Sequence, residues 1–336
     1  MGVIVSFGEI LLRLAARPPA LLLQDSALEA TICGAEANVA VALSGFGHVA
    51  RMISLVPENR LGEAARSELR RFGVETQGVM TGPGRMGLYF LTPGAMTRPA
   101  EIIYDRAGSS FANLDADGLD WQQMLAGADW LFVGGITAAL GDGPLSALRS
   151  ALACAQQLGV KIAFDCNYRP SLWQGREERA AEILRELSCQ AQLLFAGRRA
   201  IAMILGEAFD TEDPDKGFHE AAGAMFAAAP ALSFVAATRR EIVSAESQRL
   251  TGLIADRQGL AVSPTLALDG IIDRIGTGDA FAAGVVHGLV SGHDLDQTIG
   301  FAAAAARWSH GVSGDFLRAS VTDIESMQNG GGDVRR

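Results

Sequence analysis

A glycine-rich stretch near the C-terminus, residues 273–284, carries the residue types that phosphoryl transfer requires. Phe281 and Val285 recur at helical spacing, which predicts a helix beginning near Gly278. The unpaired N–H groups and the dipole of a helix N-terminus favour an anion such as phosphate, and glycines allow its close approach. Asp279 would lie in the first turn, where it could take a proton from a hydroxyl that attacks the phosphate. The stretch therefore indicates phosphoryl transfer to an alcohol, although a glycine turn before an ordinary helix would have the same pattern.

A second stretch near the N-terminus, residues 33–47, contains Gly34 and, four residues later, Asn38. Together with residues 273–284, it resembles the paired signatures of the ribokinase-like (PfkB-type) carbohydrate kinases. The resemblance implies that Asp279 is the catalytic base. It also implies an anion hole formed by the backbone N–H groups of Gly276, Thr277 and Gly278. The chain departs from the usual family pattern at Cys33, Arg274 and Thr277.

Strand-like and helix-like runs alternate along the chain, which predicts βαβ units and a mostly parallel sheet. The resemblance implies an α/β fold, a ribokinase-like three-layer α/β/α sandwich with this sheet at its centre and a small β-strand lid. Segments at about 12–32 and 86–108 break the alternation, and we expect them to form the lid as short antiparallel strands. We expect a single kinase domain over residues 1–328 and a disordered tail over residues 329–336.

Two arginines bear on the substrate, Arg106 in the second lid segment and Arg169 after a predicted strand. A guanidinium matches a carboxylate, but most arginines form surface salt bridges, so the residues alone leave both interpretations open. Residues 85–90, 104–106 and 165–173 resemble those of 2-keto-3-deoxygluconate kinases, which phosphorylate an acidic keto sugar. The resemblance implies a sugar pocket formed by Gly34, Asn38, Tyr89, Tyr104, Arg106, Ile136, Arg169 and Asp315.

The same resemblance implies that ATP and Mg²⁺ take part in the reaction. Nucleotide-side positions carried over from the family are Asn167, Thr238, Arg239, Ser244, Gly276 and Gly278. Many family members have an Asn-x-x-Glu motif that helps to organise magnesium, and neither motif residue is retained at residues 197–200. Magnesium could instead be held through water and phosphate oxygens, which suits its reluctance to dehydrate. A requirement for a monovalent cation stays open.

Composition limits the classes of binding partner and the cellular compartment that we expect for this protein. The net charge of -10 argues against nucleic acid or a membrane surface as a partner. The four cysteines have no metal-type spacing, and the start of the chain is typical of a strand rather than a signal peptide, so we expect a cytoplasmic protein. The five histidines are scattered along the sequence without metal or triad spacing. In the resembled family the lid often forms a dimer interface, which implies a homo-oligomer.

Other functions fit parts of the pattern. The nearest alternative is the same chemistry on another sugar, such as fructose or a related keto sugar acid. A sugar-acid-binding sensor without catalysis is a second alternative, but a sensor has no need of Asp279 as a base. A dinucleotide-binding dehydrogenase is excluded because no Gly-x-Gly-x-x-Gly follows the first strand.

Overall fold

A computed structural model describes residues 1–328, and the predicted tail, residues 329–336, lies outside the described residues. The strands are β1 (Val3–Phe7), β2 (Leu11–Ala15), β3 (Glu29–Cys33), β4 (Val49–Pro57), β5 (Val79–Gly82), β6 (Gly87–Thr92), β7 (Glu101–Asp105), β8 (Trp130–Gly134), β9 (Lys161–Asp165), β10 (Leu193–Phe195), β11 (Phe234–Ile242), β12 (Ser247–Ala255), β13 (Leu260–Val262) and β14 (Leu266–Asp269). The α-helices are α1 (Ala35–Gly45), α2 (Arg60–Arg71), α3 (Trp121–Met124), α4 (Gly135–Ala139), α5 (Asp142–Leu158), α6 (Glu177–Ser188), α7 (Arg198–Leu205), α8 (Pro214–Ala228), α9 (Thr277–Ser291), α10 (Leu295–His310) and α11 (Val321–Gln328).

The large sheet has the strand order β13-β12-β11-β10-β9-β8-β1-β4-β5, and β14 pairs with β12. From β11 to β5 every neighbouring pair is parallel, whereas β12 is antiparallel to β11, β13 and β14. The parallel strands are connected through helices, as βαβ units require. The predicted mostly parallel sheet is therefore confirmed.

Helices cover both faces of this sheet. Within β1, Ile4 packs into the core on the side of α1, α9 and α10, whereas its neighbour Val5 packs into the core on the side of α5 to α8. Phe132 and Leu131 divide between the two cores in the same way within β8. Alternate side chains of a strand point to opposite faces, so the two cores are separate layers of apolar contact. The predicted three-layer sandwich is confirmed.

A second sheet forms the lid, with the strand order β3-β2-β6-β7. The neighbours along the chain, β2 with β3 and β6 with β7, pair antiparallel as predicted. The central pair, β2 with β6, is parallel, so the prediction of antiparallel strands throughout was wrong. These two strands lie about 75 residues apart and each leaves the large sheet in the same direction, which no local turn signal in the sequence reveals.

The histidines are less scattered in space than in sequence. His48 Nε2 lies 2.9 Å from His287 Nδ1, and the His293 ring packs edge-on against His287 with ring centroids 5.7 Å apart. The Gly2 N–H donates to His48 Nδ1, so the neutral His48 donates from Nε2 to His287. This cluster lies at the N-terminal end of β1, away from the carboxyl ends of the parallel strands.

No helix among residues 1–328 is both long enough and apolar enough to cross a membrane.

Candidate functional site

A cavity of about 1010 Å³ lies where the carboxyl ends of the parallel strands meet the lid. Asp165, the last residue of β9, lies on the large-sheet side, and Tyr104 and Arg106 approach from the lid. Ligands bind beyond the carboxyl ends of strands in open α/β sheets because loops and helix N-termini converge there. Predicted site residues that line this cavity are Gly34, Asn38, Tyr89, Tyr104, Arg106, Ile136, Asn167, Arg169, Thr238, Gly276, Thr277, Gly278, Asp279 and Asp315.

The N-terminus of α9 opens onto the cavity. Gly276 caps the helix with a φ of 77°, and a Cβ there would collide with the Asp315 carbonyl oxygen, so only glycine fits. The first helical hydrogen bond runs from Ala280 N–H to Gly276 O at 2.9 Å. The N–H groups of Thr277 and Gly278 precede that bond and have no partner within the helix. A Cβ on Gly278 would meet no atom within 4 Å, so this turn has room beside it for an anion.

Asp279 stands in the first turn of α9 with its carboxylate fixed by α1. Asn38 Nδ2 donates to Asp279 Oδ2 at 2.6 Å, across the contact between the two helices. Burial raises the pKa of Asp279 to about 7; the Asn38 hydrogen bond opposes that rise, and the charges of Asp165 and Asp315 add to it. A carboxylate with a pKa near neutral pH is well matched to accept a proton from a hydroxyl.

Two further carboxyl groups line the same cavity. Glu36, in the first turn of α1, is 3% exposed and reaches toward Gly8 and Gly134, where any Cβ would collide with its carboxyl group. Burial raises the pKa of Glu36 to about 8 and that of Asp165 to about 6. Glu36 was not among the predicted site residues, although an acid two residues before Asn38, in a helix start otherwise made of alanine and valine, was the signal that could have revealed it.

Arg106 does not form the surface salt bridge that was its alternative interpretation. It is 7% exposed, and its Nε and Nη2 each lie 2.7 Å from Glu9 Oε2. Within residues 1–328, Nη1 has no hydrogen-bond partner and so stays available to a ligand. Arg169 is exposed at the cavity and forms no ion pair within the described part of the chain, although its positive charge opposes the rise in the pKa of Asp165 and of Asp279. The two predicted arginines thus differ, since Glu9 already compensates the charge of one of them.

A buried ionic network connects the lid to the turn before α9. Arg13 Nη1 lies 2.7 Å from Asp315 Oδ1, and Arg13 Nη2 lies 2.6 Å from Asp273 Oδ2. Tyr89 donates its hydroxyl proton to Asp315 Oδ2 at 2.7 Å. Asp273 Oδ1 accepts from the N–H groups of Arg274 and Ile275. Tyr89 and Asp315 therefore line the cavity but already hydrogen-bond each other, and the sequence did not reveal Arg13, the common partner of Asp315 and Asp273.

Two predicted nucleotide-side residues do not reach the cavity. Arg239 forms an ion pair with Asp215 of α8. Ser244 lies in the turn between β11 and β12, where its Oγ accepts from the N–H groups of Glu246 and Ser247. Arg240 lines the cavity in place of Arg239, because successive side chains of a strand point to opposite faces.

The described residues do not provide a protein-held metal site. No group of three or more His, Cys, Asp or Glu side chains among residues 1–328 is arranged to hold a metal ion. Gly197 and Arg199, which stand at the position of the missing family motif, line the cavity without supplying a carboxylate. The residues present therefore do not fit a magnesium ion bound directly by several side chains.

Comparison with known proteins agrees with this geometry. The family model described as pfkB family carbohydrate kinase matches residues 1–317. A 2-dehydro-3-deoxygalactonokinase of Haloferax volcanii is 30% identical over 328 residues, which cover 98% of this chain and 97% of the relative.

Solved structures extend the comparison to the fold. A 2-dehydro-3-deoxygluconokinase from Thermotoga maritima superposes with a TM-score of 0.94 at 33% identity, covering 98% of this chain and 100% of the other. A sugar kinase from Pyrococcus horikoshii, solved in complex with ATP, superposes with a TM-score of 0.75 at 21% identity over 96% of this chain and 100% of the other, a likeness of fold. The match over nearly the whole chain, together with the glycine turn and Asp279 at the cavity, shows that this protein is a carbohydrate kinase of the PfkB family with the ribokinase-like fold.

Proposed function

We propose that the protein transfers the γ-phosphoryl group of ATP to the 6-hydroxyl of 2-keto-3-deoxygluconate or of its C4 epimer. The observation that carries this proposal is Asp279 standing in the first turn of α9, beside an N-terminus with space for an anion. The kinases of the two epimeric 2-dehydro-3-deoxy acids are among the chain's relatives, which supports the acid class without choosing between the epimers.

In the proposed reaction the sugar hydroxyl oxygen attacks the γ-phosphorus. The new oxygen–phosphorus bond forms as the bond from that phosphorus to the β,γ-bridging oxygen breaks, and ADP leaves with the electron pair of that bond. The hydroxyl proton passes to Asp279, whose other carboxylate oxygen is held by Asn38. The free N–H groups at the start of α9 stabilise the charge on the transferred group, because they are oriented before the reaction begins.

For the sugar acid, we propose that Arg169 and the free Nη1 of Arg106 receive the carboxylate. Arg169 forms no ion pair in the described chain, and only the more distant charges of Asp165 and Asp279 act on it, so an anionic substrate would supply a direct partner. Tyr104, which lies under the Arg106 guanidinium with 5.7 Å from Cζ to the ring centroid, would fix that side chain in the lid.

A neutral keto sugar such as fructose is the second candidate substrate, and one observation favours it. Glu9 already neutralises Arg106, so the buried part of the pocket carries less positive charge than two free arginines would. The test is kcat/KM with ATP for 2-keto-3-deoxygluconate, its C4 epimer and fructose, in wild type and in Asp279→Asn. The acid proposal predicts preference for one of the two acids and a loss of about 10²–10⁴-fold in kcat for the variant. Preference for fructose would overturn the substrate, and a variant that keeps more than about a tenth of kcat would overturn the base.

We further propose that the protein forms a homo-oligomer through the lid. β7 is the edge strand of the lid sheet, and Ile103 on it is 49% exposed, on the opposite face of the strand from the cavity residue Tyr104. Exposed apolar groups on an edge strand favour pairing with a second chain. Light scattering should show a dimer or larger species that Ile103→Lys dissociates; a monomeric wild type would refute this.

A further inference from the structure

Arg240 on β11 and Arg274 in the turn before α9 both line the cavity, and neither forms an ion pair with another of the described residues 1–328. We propose that this pair binds the phosphate chain of the nucleotide and neutralises its charge, at a site where the side chains offer no set of metal ligands. The inference rests on the proposed use of ATP, and it assigns two residues that the family motifs did not indicate.

Neighbouring residues of β11 show why Arg240 is the relevant arginine. Arg239 points to α8, where Asp215 compensates its charge. Arg240 points to the cavity, and within residues 1–328 it forms no ion pair. Arg240 is partly exposed at the cavity, and its pKa is lowered by partial desolvation and by the positive charges of Arg274 and Arg169, so both of these groups repel it in the absence of an anion. A bound polyanion would relieve that repulsion.

Arg274 is held in place without losing its charge. With the Gln248 amide turned so that its oxygen faces the guanidinium, that oxygen accepts from Arg274 Nε at 3.1 Å and from Nη1 at 3.3 Å. Gln248 is 1% exposed and neutral, so it orients Arg274 but does not compensate it. The adjacent acid, Asp273, is already paired with Arg13 at 2.6 Å. Arg274 therefore keeps a full positive charge for a ligand.

The position of the pair favours phosphate over the sugar carboxylate. Arg274 lies two residues before Gly276, so its backbone leads directly into the N-terminal turn of α9. The helix N-terminus and the two guanidinium groups add their positive potentials on this side of the cavity. Arg106 and Tyr104 belong to the lid, which is a different wall.

The experiment compares ligands with and without phosphates. Binding of ADP and of adenosine is measured by titration calorimetry in wild type, Arg240→Leu and Arg240→Lys, and KM is measured for ATP and for the sugar. We expect Arg240→Leu to weaken ADP and to raise KM for ATP by about 10- to 100-fold, as loss of a charged hydrogen bond does. Adenosine affinity and KM for the sugar should change less than about threefold, and Arg240→Lys should recover part of the ADP affinity.

Two other arginine variants sharpen the result. Arg239→Leu removes the neighbouring arginine on the opposite face, and Arg249→Leu removes an exposed arginine of β12 that does not line the cavity. A larger rise of KM for ATP in Arg239→Leu than in Arg240→Leu would overturn the proposal in favour of the family-based assignment. Equal loss of ADP and adenosine in Arg240→Leu, or a rise confined to KM for the sugar, would also overturn it. ADP binding does not depend on sugar turnover, so a wild type that binds ADP but phosphorylates none of the sugars would refute the proposed substrate alone.

Discussion

Asn38→Ala should raise the pH at which the enzyme becomes active. Asn38 donates to Asp279 at 2.6 Å, and that bond stabilises the ionised carboxylate and so lowers its pKa. A hydrogen bond to a charged group contributes about 1.5–3 kcal/mol, and one pKa unit corresponds to about 1.4 kcal/mol. Removing the bond should therefore raise the pKa of Asp279 by about 1 to 2, from the value of about 7 set by its burial.

The sign of the pH dependence follows from the role of the base. Asp279 accepts a proton only when ionised, so kcat/KM should rise with pH through about 7 in wild type and then reach a plateau. In Asn38→Ala the rise should occur about 1 to 2 pH units higher. At pH 7 the ionised fraction then falls from about one half to about a tenth or less.

The assay is kcat/KM for the sugar between pH 5 and about 10, followed by ADP release with the coupling enzymes in excess at each pH. Asn59→Ala is the matched control, because Asn59 caps α2 by accepting from Leu61 and Gly62 and does not line the cavity. A midpoint that stays in place in Asn38→Ala, or moves to lower pH, would refute the role given to this hydrogen bond. A lower plateau alone would not, since Asn38 is also a predicted sugar ligand.

The remaining predictions concern the anion site, the acid site and the fold. Gly278→Val should fold with a Tm near that of wild type but lose turnover. Gly276→Ala should lose about 1–3 kcal/mol of stability, because residue 276 has a positive φ and its new Cβ would collide with the Asp315 carbonyl oxygen. Equal Tm values for the two variants would contradict this difference. Arg169→Leu should lower kcat/KM for the sugar acid about 10- to 100-fold and that for fructose by less, and an equal loss for both would remove the carboxylate contact. Burial lowers the pKa of His287 to about 4, so this side chain binds a proton more readily in the unfolded chain. The free energy of unfolding in urea should therefore fall by on the order of 3 kcal/mol between pH 6.5 and 4. The His287→Phe variant should show a smaller fall.

Short sequence patterns predicted those parts of the site whose structure depends only on neighbouring residues. The start of α9 was predicted to within one residue of its observed start at Thr277, because helical periodicity and a glycine turn coincide there. The alternation of strand-like and helix-like runs likewise predicted the parallel strands of the large sheet. Signals of this kind depend on a few neighbouring residues, so they can be recognised without knowledge of the tertiary structure.

Contacts between residues far apart in the sequence could not be predicted from such local patterns. Glu9 compensates Arg106 across 97 residues, and Arg13 reaches Asp315 across 302. The choice between Arg239 and Arg240 depends on which face of β11 meets the cavity, and two adjacent arginines at the less buried end of the strand show no alternation of residue type that would decide it. The sequence therefore indicated the strand end that reaches the cavity, whereas in the structure Arg240 rather than the predicted Arg239 lines it.

The distribution of charge explains why the cavity needs arginines at its rim. Glu36, Asp165 and Asp279 lie together on the floor of the cavity, and burial raises the pKa of each of them. In the proposed reaction two anions, the nucleotide and the sugar acid, enter beside these groups and would raise the pKa of Asp279 further, which would leave the base protonated at neutral pH. An arginine that is held in position but forms no ion pair with an acid of the protein opposes this rise in the pKa of Asp279. Arg274, which Gln248 orients, has that property, and the charge of Arg169 already opposes the rise in the pKa of Asp279, whereas Arg106 is paired with Glu9 and so has less of this property.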